Sequence, residues 1–155
     1  MDKAGILKSL LAELEAELRR QQQANEKASA GATDSESRAE TKWDTSGLEA
    51  SYLARGHARQ FALLSSHVQR LRNFAPASFD GLPIGIGALV ECVAEGQAFH
   101  LFLLDCGGGI ELAIDGTEVT VITPESPIGN ALSNKRQGDR FAVPGGISGT
   151  IRRVE

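Results

Sequence analysis

Hydrophobic residues in the first half of this chain recur at intervals of three and four, the spacing that gathers side chains on one face of an α-helix. Leu7, Leu11, Leu14 and Leu18 begin such a stripe, and Gln21, Asn25 and Ala28 carry it on in the same phase. Ala54, His57, Phe61, Leu64, Val68 and Leu71 make a second one. The first stripe changes from apolar to polar along the chain and the second from polar to apolar. The two gradients match when the helices run antiparallel, with Leu7 facing Leu71, Leu18 facing Phe61 and Asn25 facing Ala54. The pattern therefore predicts a helical hairpin, an antiparallel coiled coil.

Between the stripes lies SAGATDSESRAETKWDTSG, residues 29 to 47. Its Gly, Ser, Thr and Asp residues oppose a continuous helix and supply turn and cap positions, with Thr45 or Ser46 placed to cap the second helix. A first helix from Lys3 to Ser29 would run roughly 40 Å at 1.5 Å per residue.

After Pro76 the periodicity changes. GALVECVA alternates, AFHLFLLD is a continuous apolar run, and IELAI, EVTVIT, RFAV and GTIRRV follow as further short strand signals. SPIGNALSNK interrupts them as a brief helix, with Ser126 as N-cap and Pro127 at the first helical position. The fold class expected is α+β: a helical hairpin over 1–76 with a tip loop at about 30–46, then a 77–155 domain of antiparallel sheet with one short helix.

Composition narrows the function. At 155 residues and 41% hydrophobic content the chain can bury a modest core. A formal charge of -4 argues against coating nucleic acid through a whole-surface basic field. The opening MDKAGILKSLLAELEAEL lacks the apolar core of a secretory signal, and no run is long enough to span a membrane, so a cytoplasmic protein without membrane association is expected. Cys92 and Cys106 have no partners at zinc-ligand spacing and are read as reduced thiols.

Candidate chemistry is sparse. CGGGI, residues 106 to 110, lacks the Lys and helix of a phosphate loop and is read as a hairpin connection. His57, His67 and His100 are scattered; His57 on the helix stripe and His100 in a strand are read as packing or hydrogen-bonding residues, and no catalytic constellation can be assembled. The tip loop gathers carboxylates, Asp34, Glu36, Glu40, Asp44 and Glu49, around the single tryptophan, Trp43. Such groups stay solvated on a free loop, or hold Mg²⁺ and orient water when inserted into another macromolecule.

The stretch ITPESPIGNALSNKRQGDRFAVPGGISGTIRRVE resembles the C-terminal end of the Gre family of bacterial transcript cleavage factors, through Ser126, Pro127, Ile128, Gly129, Leu132, Lys135, Gly138, Asp139, Pro144, Gly145, Gly146, Ile151 and Val154. ASYLARGHARQF resembles that family's second helix through Ala50, Tyr52, Ala54 and Phe61. The resemblance implies an FKBP-like C-terminal domain that docks on bacterial RNA polymerase at its secondary channel. It further implies a coiled coil whose two tip acids help the polymerase hold Mg²⁺ and cleave backtracked RNA. On that reading the protein is a monomer, not itself an enzyme, with no cofactor of its own beyond Mg²⁺ shared with the polymerase, and it meets nucleic acid only indirectly. Asp44 and Glu49, helped by Glu40, are the candidate tip acids; Ser126, Pro127, Asn130 and Lys135 are the candidate docking residues. The family's tip pattern departs here: alignment on Ala50 and Tyr52 puts Thr45 and Leu48 where the acids belong, with Asp44 and Glu49 one residue outside each. Two alternatives follow, a polymerase-binding regulator without cleavage stimulation and an FKBP-type prolyl isomerase. The second would need an aromatic pocket built from Phe79, Phe99, Phe102 and Phe141.

Overall fold

The computed structural model describes the backbone over residues 1–32 and 46–155, and side chains over 1–27 and 52–155. Two helices come first, α1 (Lys3–Ala32) and α2 (Ser46–Arg72). There follow β1 (Leu89–Ala94), β2 (Gln97–Leu103), β3 (Glu111–Ile114), β4 (Thr117–Ile122), α3 (Pro127–Leu132), β5 (Arg140–Ala142) and β6 (Ser148–Val154). The architecture is α+β. The chain divides into two compact units, one of Met1–Leu10 with Asn73–Glu155, the other of Leu11–Arg72.

In the helical unit the apolar part of each predicted stripe turns inward. Leu14, Val68 and Leu71 are buried, and Leu11, Leu18, Phe61 and Leu64 are half-buried. Arg72, the last residue of α2, reaches Glu15 of α1 with two donors on one carboxylate oxygen, Nη2 at 2.7 Å and Nε at 3.1 Å. The end of α2 thus lies beside the first half of α1, as an antiparallel pair requires. Much of the polar part of each stripe stays in solvent: Gln21 is half-buried, but Asn25, Ala54 and His57 are exposed. Alanine and histidine offer too little apolar area to repay ordering, so His57 is a surface residue and not the packing residue that its phase suggested.

In the other unit the six strands form one sheet in the order β3-β4-β2-β1-β6-β5. All neighbours are antiparallel except β2 and β4, which run parallel with His100 opposite Val119 and Leu103 opposite Ile122. That pair corrects the all-antiparallel sheet and the reading of CGGGI as a hairpin connection. The chain leaves β2 through this turn, passes one strand position and returns as β3, and β4 fills the gap. Backbone bonds from Leu104 N to Ile122 O (2.9 Å) and from Val121 N to Ile110 O (2.8 Å) extend the ladders on both sides of β4. Asp115-Gly116 makes the two-residue β3–β4 hairpin, both at positive φ (50° and 79°), the conformation that the right-handed strand twist selects.

The second half of the apolar run in β2 is buried on both faces, while Ala98 is exposed and Phe99 and His100 are half-buried. Leu101 and Leu103 join Val90, Cys92, Leu132, Phe141 and Ile151 in a core on one face. Phe102 points to the other face and is fully buried. Ile6 and Leu10 at the start of α1 are also fully buried. Leu10 adjoins Gly107 and Val121: a Cβ on Gly107 would lie 3.4 Å from Leu10 Cδ1 and 3.7 Å from Val121 Cγ1. Ile6 and Leu10 sit one residue before the Leu7–Leu11 stripe, about 100° round the helix, so they form a separate face that the hairpin pattern did not select. Lys3 closes this end. Its Nζ donates to the carbonyls of Ala77 and Gly87 and lies 5.1 Å from the centre of the Phe79 ring.

Both cysteines are buried, and they are not joined by a disulfide. Burial, with the neighbouring Glu91 charge, pushes the Cys92 thiol up to about 12, so the reactive thiolate is scarce at neutral pH. We expect Cys92 to resist a thiol reagent such as DTNB in the native protein at pH 8 and to react within minutes in denaturant. Rapid native labelling at Cys92, mapped by peptide mass, would contradict this packing.

Candidate functional site

The best-defined functional candidate is the surface around α3. Ser126 takes an extended conformation (φ -67°, ψ 149°), and its hydroxyl accepts from Gly129 N at 3.1 Å, a true N-cap. The same hydroxyl donates to Thr123 O at 2.7 Å. Pro127 occupies the first helical turn, where no backbone donor is needed. Gly129 is buried because the helix presses on the preceding turn: a Cβ there would stand 1.9 Å from Thr123 O. Ile128 and Leu132 hold the inner side against the core. At the far end Ser133 returns its N–H and its hydroxyl to Gly129 O, at 2.9 and 2.7 Å.

Two backbone bonds then clip the chain to the segment before β1, Asn134 N to Ile84 O (2.9 Å) and Ile84 N to Lys135 O (2.7 Å). The following turn is fixed by Asp139, whose Oδ2 accepts from Arg136 N at 2.7 Å. Arg136 in turn donates through its guanidinium to Gly81 O.

The candidate docking residues therefore fall on one short stretch but differ in what their side chains do. Pro127 and Asn130 are exposed and Lys135 is half-buried. The Ser126 hydroxyl is engaged inside the fold at both its donor and its acceptor. The sequence did not single out Arg136, nor Leu82 and Ile86 in the segment that Arg136 and Ile84 tie down, which are 52% and 48% exposed. Periodicity finds buried residues, and these lie in irregular chain, so no pattern marks them.

Among the proposed tip residues, Asp44 and Glu40 lie outside the described residues, as do Asp34, Glu36 and Trp43. Glu49 lies in the first turn of α2, with its side chain outside those described. Thr45 too is outside them, while α2 begins at Ser46.

A small cleft of about 120 Å³ opens in the sheet unit, lined by Met1, Leu89, Glu91, His100, Arg153 and Glu155. Its carboxylates are already held, Glu155 by the Met1 ammonium at 2.7 Å and by Arg153 at 2.6 Å, and Glu91 by Arg152 at 3.1 Å. Burial works to raise the Glu155 carboxyl, but the hydrogen bond and charge of the Met1 ammonium, with Arg153 and Lys3, outweigh it and hold the group below its ordinary value. The phenylalanines that a proline pocket would need are used elsewhere. Phe102 and Phe141 are buried, Phe99 packs edge-on against Phe141 with ring centres 6.4 Å apart, and Phe79 lies under Lys3. Among the described residues no group of three His, Cys, Asp or Glu side chains is placed to hold a metal ion, and no helix is long and apolar enough to cross a membrane.

Comparison with solved structures aligns the chain with GreA factor homolog 1 (Gfh1) of Thermus thermophilus, at 20% identity over 96% of each chain and a TM-score of 0.38. It also aligns with Thermus aquaticus Gfh1, at 19% identity over 95% of this chain and 94% of that one, with the same TM-score of 0.38. A third match is the transcription elongation factor GreA/GreB from Nitrosomonas europaea, at 21% identity over 73% of this chain and 94% of that one, with a TM-score of 0.34. No protein-family model and no curated protein matches the sequence.

The α3 geometry gives a graded prediction. Ser126→Ala should cost about 1 kcal/mol of unfolding free energy, the ordinary value of an N-cap. Gly129→Ala should cost about 3 kcal/mol or more, because its Cβ has no room against a backbone carbonyl. Urea denaturation of the two variants checks the order; a Gly129→Ala protein as stable as wild type would refute the close approach of α3 to Thr123.

Proposed function

We propose that this protein is a Gre-like regulator of bacterial RNA polymerase. In this reading the sheet unit docks at the rim of the secondary channel, and the helical hairpin brings carboxylates toward the polymerase's catalytic centre. The observation that carries the reading is the fit between motif and fold over residues 126–154. Ser126 caps α3, Gly129 makes a contact closed to any side chain, Asp139 fixes the turn into β5, and Ile151 and Val154 are buried in the last strand. The residues that carry the family resemblance are those on which this local structure depends, and a long pair of helices precedes them in the chain.

The hairpin's contribution is to supply Asp44 and Glu49, with Glu40, as oxygen ligands or water-orienting groups beside Mg²⁺ held by the polymerase; a hard divalent cation favours such ligands. Occupancy of the channel without cleavage is the second reading. It is favoured by one specific feature, the presence of Thr45 and Leu48 at the positions where the family carries its acids. Both readings share the docking step, and the chemistry in either belongs to the polymerase.

Stalled, backtracked elongation complexes test the proposal directly. The wild-type protein should bind polymerase saturably and accelerate transcript cleavage, and the Asp44→Ala, Glu49→Ala double variant should bind equally while losing at least about tenfold of that acceleration. Binding without acceleration by the wild type selects the occupancy reading, and absence of saturable binding rejects both.

A further inference from the structure

Helix α2 has two unlike faces. Val68 and Phe61 mark the side that turns inward. At about 100° per residue, Tyr52, Arg59 and Leu63 fall within about 40° of one another and roughly 160° away from Val68. The face opposite the buried one should be wholly polar in a helix that serves only as half of a hairpin. Instead Tyr52 is 65% and Leu63 57% exposed there, and Leu53 on its flank, about 60° from Val68, is 64% exposed.

Gly56 borders this face, about 20° round the helix from Leu63 and about 40° from Tyr52. Residues three and four positions away on either side, Tyr52, Leu53, Arg59 and Gln60, frame it as four side chains frame a hole on a coiled-coil surface. A Cβ added at Gly56 would meet nothing within 4 Å. Glycine weakens a helix interior relative to alanine, and among the described residues nothing requires the missing side chain. A close approach from outside would require it. The charge is one-sided as well: from Tyr52 to Arg72 the helix carries Arg55, Arg59, Arg70 and Arg72 and no carboxylate. Arg59 is exposed at the edge of the hole, and Arg55, one turn before it at i-4, is exposed beside Arg59.

We propose that this outer face of α2 is a docking surface for a protein groove on the polymerase, one that inserts an apolar side chain over Gly56 and presents carboxylates to Arg55 and Arg59. The assignment rests on the polymerase-binding reading above. A protein occupant suits the face better than a nucleic acid. Tyr and Arg are the commonest anchors of protein interfaces, and Leu53 and Leu63 have no role against phosphates. A chain of net charge -4 with two arginines at the spot is poorly equipped to displace counterions from a polyanion.

Gly56→Leu is the decisive variant, since it fills the hole without touching its own chain. Its melting temperature should equal or exceed that of wild type, while its affinity for RNA polymerase should fall by about tenfold or more. Arg55→Glu with Arg59→Glu should weaken binding similarly and flatten its dependence on salt. A wild-type protein that does not bind polymerase overturns the functional reading itself. A wild type that binds, with Gly56→Leu binding equally well, overturns the docking face alone. Two further results would reassign the face: single-stranded RNA binding lost on the arginine reversal while Gly56→Leu still binds polymerase, or a wild-type dimer in sedimentation that Gly56→Leu abolishes.

Discussion

Burial of the end of β2, Leu101 to Leu103, on both faces is the constraint from which the sheet unit is built. Leu101 and Leu103 face the core that α3 covers, and Phe102 between them faces the opposite side, where Ile6 and Leu10 of α1 are also buried. A strand buried on both faces must satisfy every backbone polar group within the sheet, because water reaches neither side. β2 does so with β1 on one edge and β4 on the other. Insertion of β4 beside β2, the parallel pair and the displacement of β3 to the edge are all consistent with that need.

The same economy shapes α3. A helix of six residues has little stability of its own, since nucleation is unfavourable and few hydrogen bonds follow it. It is held by its ends: Ser126 satisfies a free amide at the start, Ser133 returns to Gly129 at the finish, and the glycine lets the backbone close on Thr123. Asn134 and Lys135 then clip to Ile84. The surface that results presents Pro127 and Asn130 from a backbone with little freedom to move, which is what a docking base needs if binding is not to spend its energy on ordering loops.

The helical unit has the opposite character. Its buried residues, Leu14, Val68 and Leu71, gather toward one end, and the rest of α2 as far back as Tyr52 is largely exposed. The exposed ion pairs of Arg20 with Glu13 and Glu17 add little, since solvent screens them and the side chains must be ordered to form them. The exposed part of α2 therefore contributes little to its own fold. On the docking proposal, a partner covers the apolar residues and glycine on its outer face.

The sequence by itself determined the local structure. Stripes at three and four gave both helices, alternation and short apolar runs gave strand signals, and Ser-Pro gave the start of α3, because each depends on sterics and hydrogen bonds within a few residues. It also carried the motif from which the functional reading grew. Only the tertiary structure decided that β4 lies between β2 and β3, that Ile6 and Leu10 belong with the sheet, and that Ala54 and His57 stay in solvent. Those outcomes turn on which distant strands can satisfy one another's backbone groups and how much apolar area remains to be covered. Spacing along a chain records neither quantity.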